Sequence, residues 1–200
     1  RWRVLESYVR RSSSSRYHRH AMLAVAFALL HCAALSVAAA AAAAGPFRFS
    51  NTHGDHMVLQ QAPAKAQIWG FGTAGQSVSV VTTAAGGTPV KATVAPDGTW
   101  QVALDPVKAS GNPVTVTATS GTTSITLKDV LYGDVWFCSG QSNMQFTVDQ
   151  AFNASAEVAA AANFPHIRLF TAANVPSLTP LTELAANGVA QPWAVASPAS

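Results

Sequence analysis

The sequence predicts an all-β sandwich followed by the beginning of an α/β domain. Three observations point that way. Between residues 47 and 129, about seven short β-rich runs alternate with turn signals, which is the spacing of an antiparallel sandwich. From Val130 to Cys138 the chain is almost continuously apolar, as a strand buried on both faces of a parallel sheet reads. An alanine-rich run and Ile167–Phe170 then complete the order strand, helix, strand, the first unit of a doubly wound sheet. The boundaries this implies are a leader over 1–44, a sandwich over 45–129 and the start of the α/β domain over 130–200.

The leader comes first. Arg10, Arg11, Arg16 and Arg19 precede an apolar run from Ala21 to Ala44 that ends in alanines before Gly45-Pro46. Positive charge, an apolar stretch and small residues make a secretory signal, with cleavage near Ala44. The competing reading is a membrane anchor, because the run is long enough to span. His31, Ser36 and the weakly hydrophobic alanines favour removal. The chain does not open with Met, and Met22 is an alternative start. A secretory route implies an extracellular or lysosomal destination, with no membrane attachment once the leader is gone.

Charge follows the same division. Residues 1–44 carry six Arg against one Glu, whereas residues 45–200 carry six basic and eight acidic groups. The basic balance therefore belongs to the leader, and no nucleic-acid partner is implied. The cysteines are Cys32 and Cys138, and the histidines are scattered. That leaves no metal-ligand spacing. Cys32 departs with the leader, so Cys138 is expected to be a small buried hydrophobe in its strand.

The sandwich runs are Met57–Gln60, Gln67–Phe71, Ser77–Thr83, Val90–Val94, Trp100–Leu104, Val114–Thr119 and Ser124–Leu127. Val114, Val116 and Ala118 alternate with threonines, the period of a half-buried strand. Pro96-Asp97-Gly98 marks a turn, because Pro presets φ and Gly accepts a positive one. Such a pattern identifies no function. Trp69, Trp100, His53 and His56 are the candidates for a sugar-stacking face, although tryptophan in a sandwich more commonly serves the core. His56 reads as a surface or strand-entry pair with Asp55.

After Cys138 the character changes. Ser139, Gly140, Gln141, Ser142 and Asn143 are small or polar, and they stand just past the carboxyl end of the expected strand, where α/β sheets place reactive groups. Ser142 would project into the crevice, with its own N–H available to an oxyanion, while Gly140 lets the backbone bend. The match to Gly-x-Ser-x-Gly is partial, since Met144 replaces the second glycine. A plain turn is the other reading of the same residues.

The string Gly133-Asp134-Val135-Trp136 leading to Gly140-Gln141-Ser142-Asn143-Met144 resembles the nucleophile block of the sialate O-acetylesterase family. His56-Met57-Val58-Leu59-Gln60-Gln61, Pro63, Ile68-Trp69-Gly70 and Asp97-Gly98-Thr99-Trp100 resemble its opening. The resemblance implies a serine esterase with an SGNH-type (flavodoxin-like) domain. In that reading Ser142 is the nucleophile, and Gly140, Gln141 and Asn143 are its neighbours in the oxyanion turn. It implies an acetylated sugar as substrate, sialic acids first and xylan-type glycans next, and it requires no cofactor and no metal.

The same resemblance implies an Asp-x-x-His late in the chain. No Asp or Glu here has a His three positions on, and His166 is the only histidine after Ser142. His166, following Pro165, reads as solvent-facing. The expectation is thus the N-terminal part of a longer enzyme, inactive alone. The rival is a secreted, non-catalytic sandwich that binds glycans or a partner. Ala154–Ala162 is expected as a helix, the residues past Thr171 as loop, and Trp193 as packing back on the domain. Asn153-Ala154-Ser155 is a glycosylation sequon. The oligomeric state is not legible.

Overall fold

The computed structural model describes residues 45–84 and 86–200, all within one compact unit that spans Ala41–Ser200. The expectations for the leader and Cys32 lie outside the described residues.

Two sheets form the sandwich. The smaller joins β1 (Arg48–Phe49), β3 (Gln67–Phe71) and β6 (Thr99–Ala103) in the order β1-β3-β6. The larger joins β2 (Val58–Gln60), β4 (Ser77–Thr82), β5 (Val90–Thr93), β7 (Ser110–Ser120) and β8 (Thr123–Gly133) in the order β2-β8-β7-β4-β5. Every pair is antiparallel except β2 with β8. The period-2 residues face inward as read from sequence: Ile68, Val78, Val80, Val116 and Ala118 are fully buried.

Trp100 anchors the core at 2% exposure. Its indole N–H donates to the Phe71 carbonyl at 3.1 Å, and its ring lies 5.7 Å from both Phe47 and Phe49. Gly70 permits that packing. A Cβ there would sit 2.1 Å from the Arg48 carbonyl oxygen and 2.8 Å from the Trp100 ring. At the Pro96-Asp97-Gly98 turn, Gly98 has φ +85°. Asp97 accepts from the Thr99 N–H and hydroxyl at 2.9 and 2.7 Å, and those bonds hold its carboxyl below the usual range.

The larger departure from expectation is at residues 123–138. Val130 does not open a new domain's strand; it continues β8. The pairing Val116↔Leu127 shifts to Val114↔Val130, so the strand carries a bulge, and Asp129 sits in it with φ +52°. Asp is among the few residues that adopt this region readily. The bulge re-aims the strand, and Val130, Leu131 and Tyr132 are all buried beyond it. Burial raises the Tyr132 phenol above its ordinary value.

The strand then stops at Gly133. Val135, Trp136 and Phe137 are exposed, Trp136 at 84% and Phe137 at 91%. Cys138 is exposed as well, so the expectation of a buried thiol is corrected. A strand buried on both faces needs neighbours on both edges, and β2 and β7 flank this chain only as far as Gly133.

Beyond it, α1 (Ala154–Ala160) forms as expected and continues as a 3-10 turn over Ala161–Asn163. β9 (Arg168–Ala172) follows, and it pairs antiparallel with β10 (Val189–Val195). β10 corrects the expectation of loop past Thr171, where the sequence shows no periodicity. Here Pro192 falls at a register irregularity between Gln191 and Ala194, one of the places where a strand tolerates proline. Among the described residues, no helix is long and apolar enough to cross a membrane.

Candidate functional site

The site is built outward from the parallel pair. β2 and β8 align Val58 with Leu131, Leu59 with Tyr132 and Gln60 with Gly133. Side chains on either end of this ladder keep the same register. Before it, His56 Nδ1 lies 2.6 Å from Asp129 Oδ2. Beyond it, the Gln61 side-chain amide donates to Asp134 Oδ1 at 2.8 Å, while its backbone N–H donates to the Gly133 carbonyl at 2.9 Å. His56 therefore pairs with Asp129 rather than Asp55. Asp55 instead accepts the Lys128 N–H at 2.7 Å.

Arg168, at the head of β9, completes this cluster. Its guanidinium donates to Asp129 through Nη1 at 2.6 Å and Nη2 at 3.4 Å. The Arg168 side chain is only 5% exposed. The two cationic or donor partners, Arg168 foremost and then His56, hold the Asp129 carboxyl below its usual range against the opposing effect of burial.

Two more contacts bind the C-terminal stretch to the sandwich. Glu183 accepts from Arg48 Nη1 at 3.1 Å, the Ser50 hydroxyl at 3.0 Å and the Asn51 N–H at 3.1 Å. Trp193 donates its indole N–H to the Thr52 carbonyl at 2.8 Å and packs 5.5 Å from Phe170. The expectation that Trp193 folds back on the domain holds.

Between Gly133 and Arg168 lies the segment that carries Ser142. Gln141 is extended, and Ser142–Gln145 forms a short 3-10 turn with all of its residues exposed. The Met144 N–H returns to the Gln141 carbonyl at 2.8 Å. The N–H groups of Ser142 and Asn143 head the turn and so have no intrahelical acceptor. Gly140 is accommodated differently from what was expected. It does not adopt a left-handed φ; the Met144 side chain folds over it, and a Cβ would sit 2.6 Å from Met144 Cγ. The residue that breaks the Gly-x-Ser-x-Gly pattern thus covers its glycine.

No base stands beside Ser142 among the described residues. His56 is bonded to Asp129. His53 lies against Trp69, with ring centroids 6.0 Å apart, and burial lowers its pKa. His166, though exposed, rests on the Gly111 backbone, where a Cβ would meet its ring at 2.7 Å. Among the sugar-stacking candidates, Trp100 is core and Trp69 is half-buried between His53 and Phe71. Asn153 is exposed at the head of α1, with φ +59°. No metal-holding group of three side chains occurs among the described residues.

Arg168 and Glu183 were not anticipated. One signal for Arg168 was present: it is the only Lys or Arg after Lys128. A lone cation needs a carboxylate if it is buried, and five acidic residues follow Lys128.

Residues 57–129 match the family model of a bacterial Ig domain. The chain is 46% identical over 145 residues to a sialate O-acetylesterase of Mus musculus, covering 69% of this chain. It is 43% identical over 147 residues to the Homo sapiens protein of that name, covering 70%. It spans 27% and 28% of the lengths of those two relatives. A solved carbohydrate acetylesterase from Xanthomonas citri superposes with a TM-score of 0.68 at 28% identity, over 76% of this chain and 33% of that one.

Proposed function

Because the chain is a sequence relative of the sialate O-acetylesterases, at 43–46% identity over about 70% of its length, we propose that it is the N-terminal part of a serine esterase that removes O-acetyl groups from sugars. The observation that carries this reading is the Gly140-Gln141-Ser142-Asn143-Met144 turn, exposed directly beyond a sandwich that superposes on a carbohydrate acetylesterase. Sialic acid is the preferred sugar, on the names of the relatives; other acetylated glycans come second.

Ser142 attacks the acetyl carbonyl, an acetyl-enzyme forms and water releases acetate. The free N–H groups at the head of the turn face the developing oxyanion. Gln141 and Asn143 flank the nucleophile. A serine hydroxyl is a poor nucleophile without a base, and none of the described histidines reaches it. The base and its orienting carboxylate therefore come from an SGNH-type domain completed by residues other than these, and the 200-residue chain is inactive alone.

The test is made on the full-length protein. A serine-reactive phosphonate is expected to label Ser142 there and to leave the 200-residue chain unlabelled. Ser142→Ala is expected to remove turnover of acetylated sialic acid by about 10⁴-fold or more, while Ser139→Ala is far milder. An active Ser142→Ala enzyme would end the esterase assignment of this turn.

A further inference from the structure

Residues 134–167 leave the sandwich and return to it, and their two roots are tied by polar side chains. The outgoing root is held by Gln61, which bonds Asp134 and Gly133 and whose side-chain carbonyl also accepts the Ala109 N–H at 3.3 Å. The returning root is held by Arg168 on Asp129, with His166 seated on Gly111 just before it. Inside the segment, the structure records only local turns and α1.

The return anchor is the more demanding of the two. Arg168 is nearly fully buried, and its Nε is enclosed without a partner. Among the described residues, its charge is balanced by Asp129 alone. Asp129 also occupies a left-handed bulge position, and His56, which bonds the same carboxylate oxygen, is left-handed too, with φ +67°. Two non-glycine residues held at positive φ around one buried guanidinium mark a geometry that the surrounding contacts enforce.

We propose that Asp129 and Arg168 are positioning residues for Ser142: their ion pair clamps the base of the segment that presents the turn. The proposal rests on Ser142 being the nucleophile. Neither residue touches substrate. The clamp fixes where the segment ends, while Gln61 fixes where it starts, and so narrows the positions its turn adopts, which is what orientation in catalysis requires. The bidentate fork matters here because lysine supplies charge without direction.

The experiment uses the full-length protein with Asp129→Asn, Arg168→Met and Arg168→Lys, measuring acetyl-ester turnover and hydrogen exchange of the Ala154–Ala160 amides. With a misplacement on the order of 1 Å, kcat falls by about 10- to 100-fold while KM stays within about twofold. Exchange in α1 accelerates, exchange in β4 and β7 stays at the wild-type rate, and Arg168→Lys recovers part of both losses. Unchanged α1 exchange in Asp129→Asn and Arg168→Met overturns the clamp, and so does acceleration spread evenly through β4 and β7. If Asp129→Asn does not fold, Arg168→Lys carries the same two readouts. Should Ser142→Ala keep its activity while α1 exchange rises in the clamp variants, the esterase reading fails and the clamp's exchange signature stands.

Discussion

Gln61 and Asp134 meet at 2.8 Å across the same 73-residue offset that separates His56 from Asp129 and Asp55 from Lys128. One parallel pairing of β2 with β8 sets all three contacts. The opening block of the sandwich and the Gly-Asp-Val-Trp block ahead of Ser142 are therefore adjoining parts of one structure. β2, near the start of the sandwich, also fixes the point from which the Ser142 segment departs.

Removing the core tryptophan is expected to be costly. Trp100→Ala deletes the largest fully buried side chain and strips the Phe71 carbonyl of its donor. A loss of about 3–5 kcal/mol is expected, read from the urea midpoint of the 45–200 polypeptide. A loss below about 1 kcal/mol would mean that the aromatic cluster is not the core.

Stability has two separate acid limbs, one from His53 and one from the carboxylates Asp129 and Asp97. Burial lowers the His53 pKa in the fold, so the unfolded chain binds that proton more readily. The corresponding stability is present above the unfolded value of about 6.5 and is lost as pH falls through the folded one. Asp129, lowered mainly by Arg168, contributes stability above about pH 3.9 that is lost below it. His53→Gln should flatten the slope just below neutrality and leave the second limb in place; Asp129→Asn should leave the first limb and shrink the second, to which Asp97 still contributes. Urea midpoints from pH 7.5 to 3 check both.

The smallest independently folding piece should end at Gly133. Stopping at Asp129 removes Val130, Leu131 and Tyr132, all buried, together with the whole partner of β2. A 45–133 polypeptide is expected to melt cooperatively with a β-type spectrum, and 45–129 to melt lower or not at all. Equal melting of the two would place β8's last residues outside the core.

Export should leave two marks. The mature N-terminus is expected between about Ala40 and Phe47, and Asn153, exposed on a positive-φ corner, should carry a glycan. N-terminal sequencing checks the first. A gel shift after glycosidase treatment, absent in Asn153→Gln, checks the second.

How far the sequence carried depended on whether the determinant was local. Gln67–Phe71 was read to the residue, and β2, β4, β5 and β6 to within one, because alternation and turns such as Pro96-Asp97-Gly98 are local signals. β7 starts four residues before its expected run and β8 ends six beyond. The run Val130–Cys138 was misread as one strand. Apolar content alone does not show where partners end, and here they end at Gly133, leaving Trp136 and Phe137 bare. The two-residue β1 was missed because its role is set by Gly70 and Trp100 across the sheet. The exposed Ser142 turn was legible from residue types. The anchors around it were not, since Arg168 acquires its meaning only when the chain returns to Asp129.

The contacts of residues 48–56 also fix an order of events during synthesis. Arg48, Ser50, Asn51 and Thr52 leave the ribosome early, yet their acceptors and donors at Glu183 and Trp193 follow 132 to 141 positions later. The last sandwich strand ends at Gly133, 50 positions before Glu183, a lead of roughly 3–10 seconds at typical translation speeds, within which a sandwich of this size pairs its strands. The β-domain is thus complete and waiting while its first polar rim is still open to water. A ribosome that pauses before Glu183 therefore holds a finished sandwich with an unfinished seam.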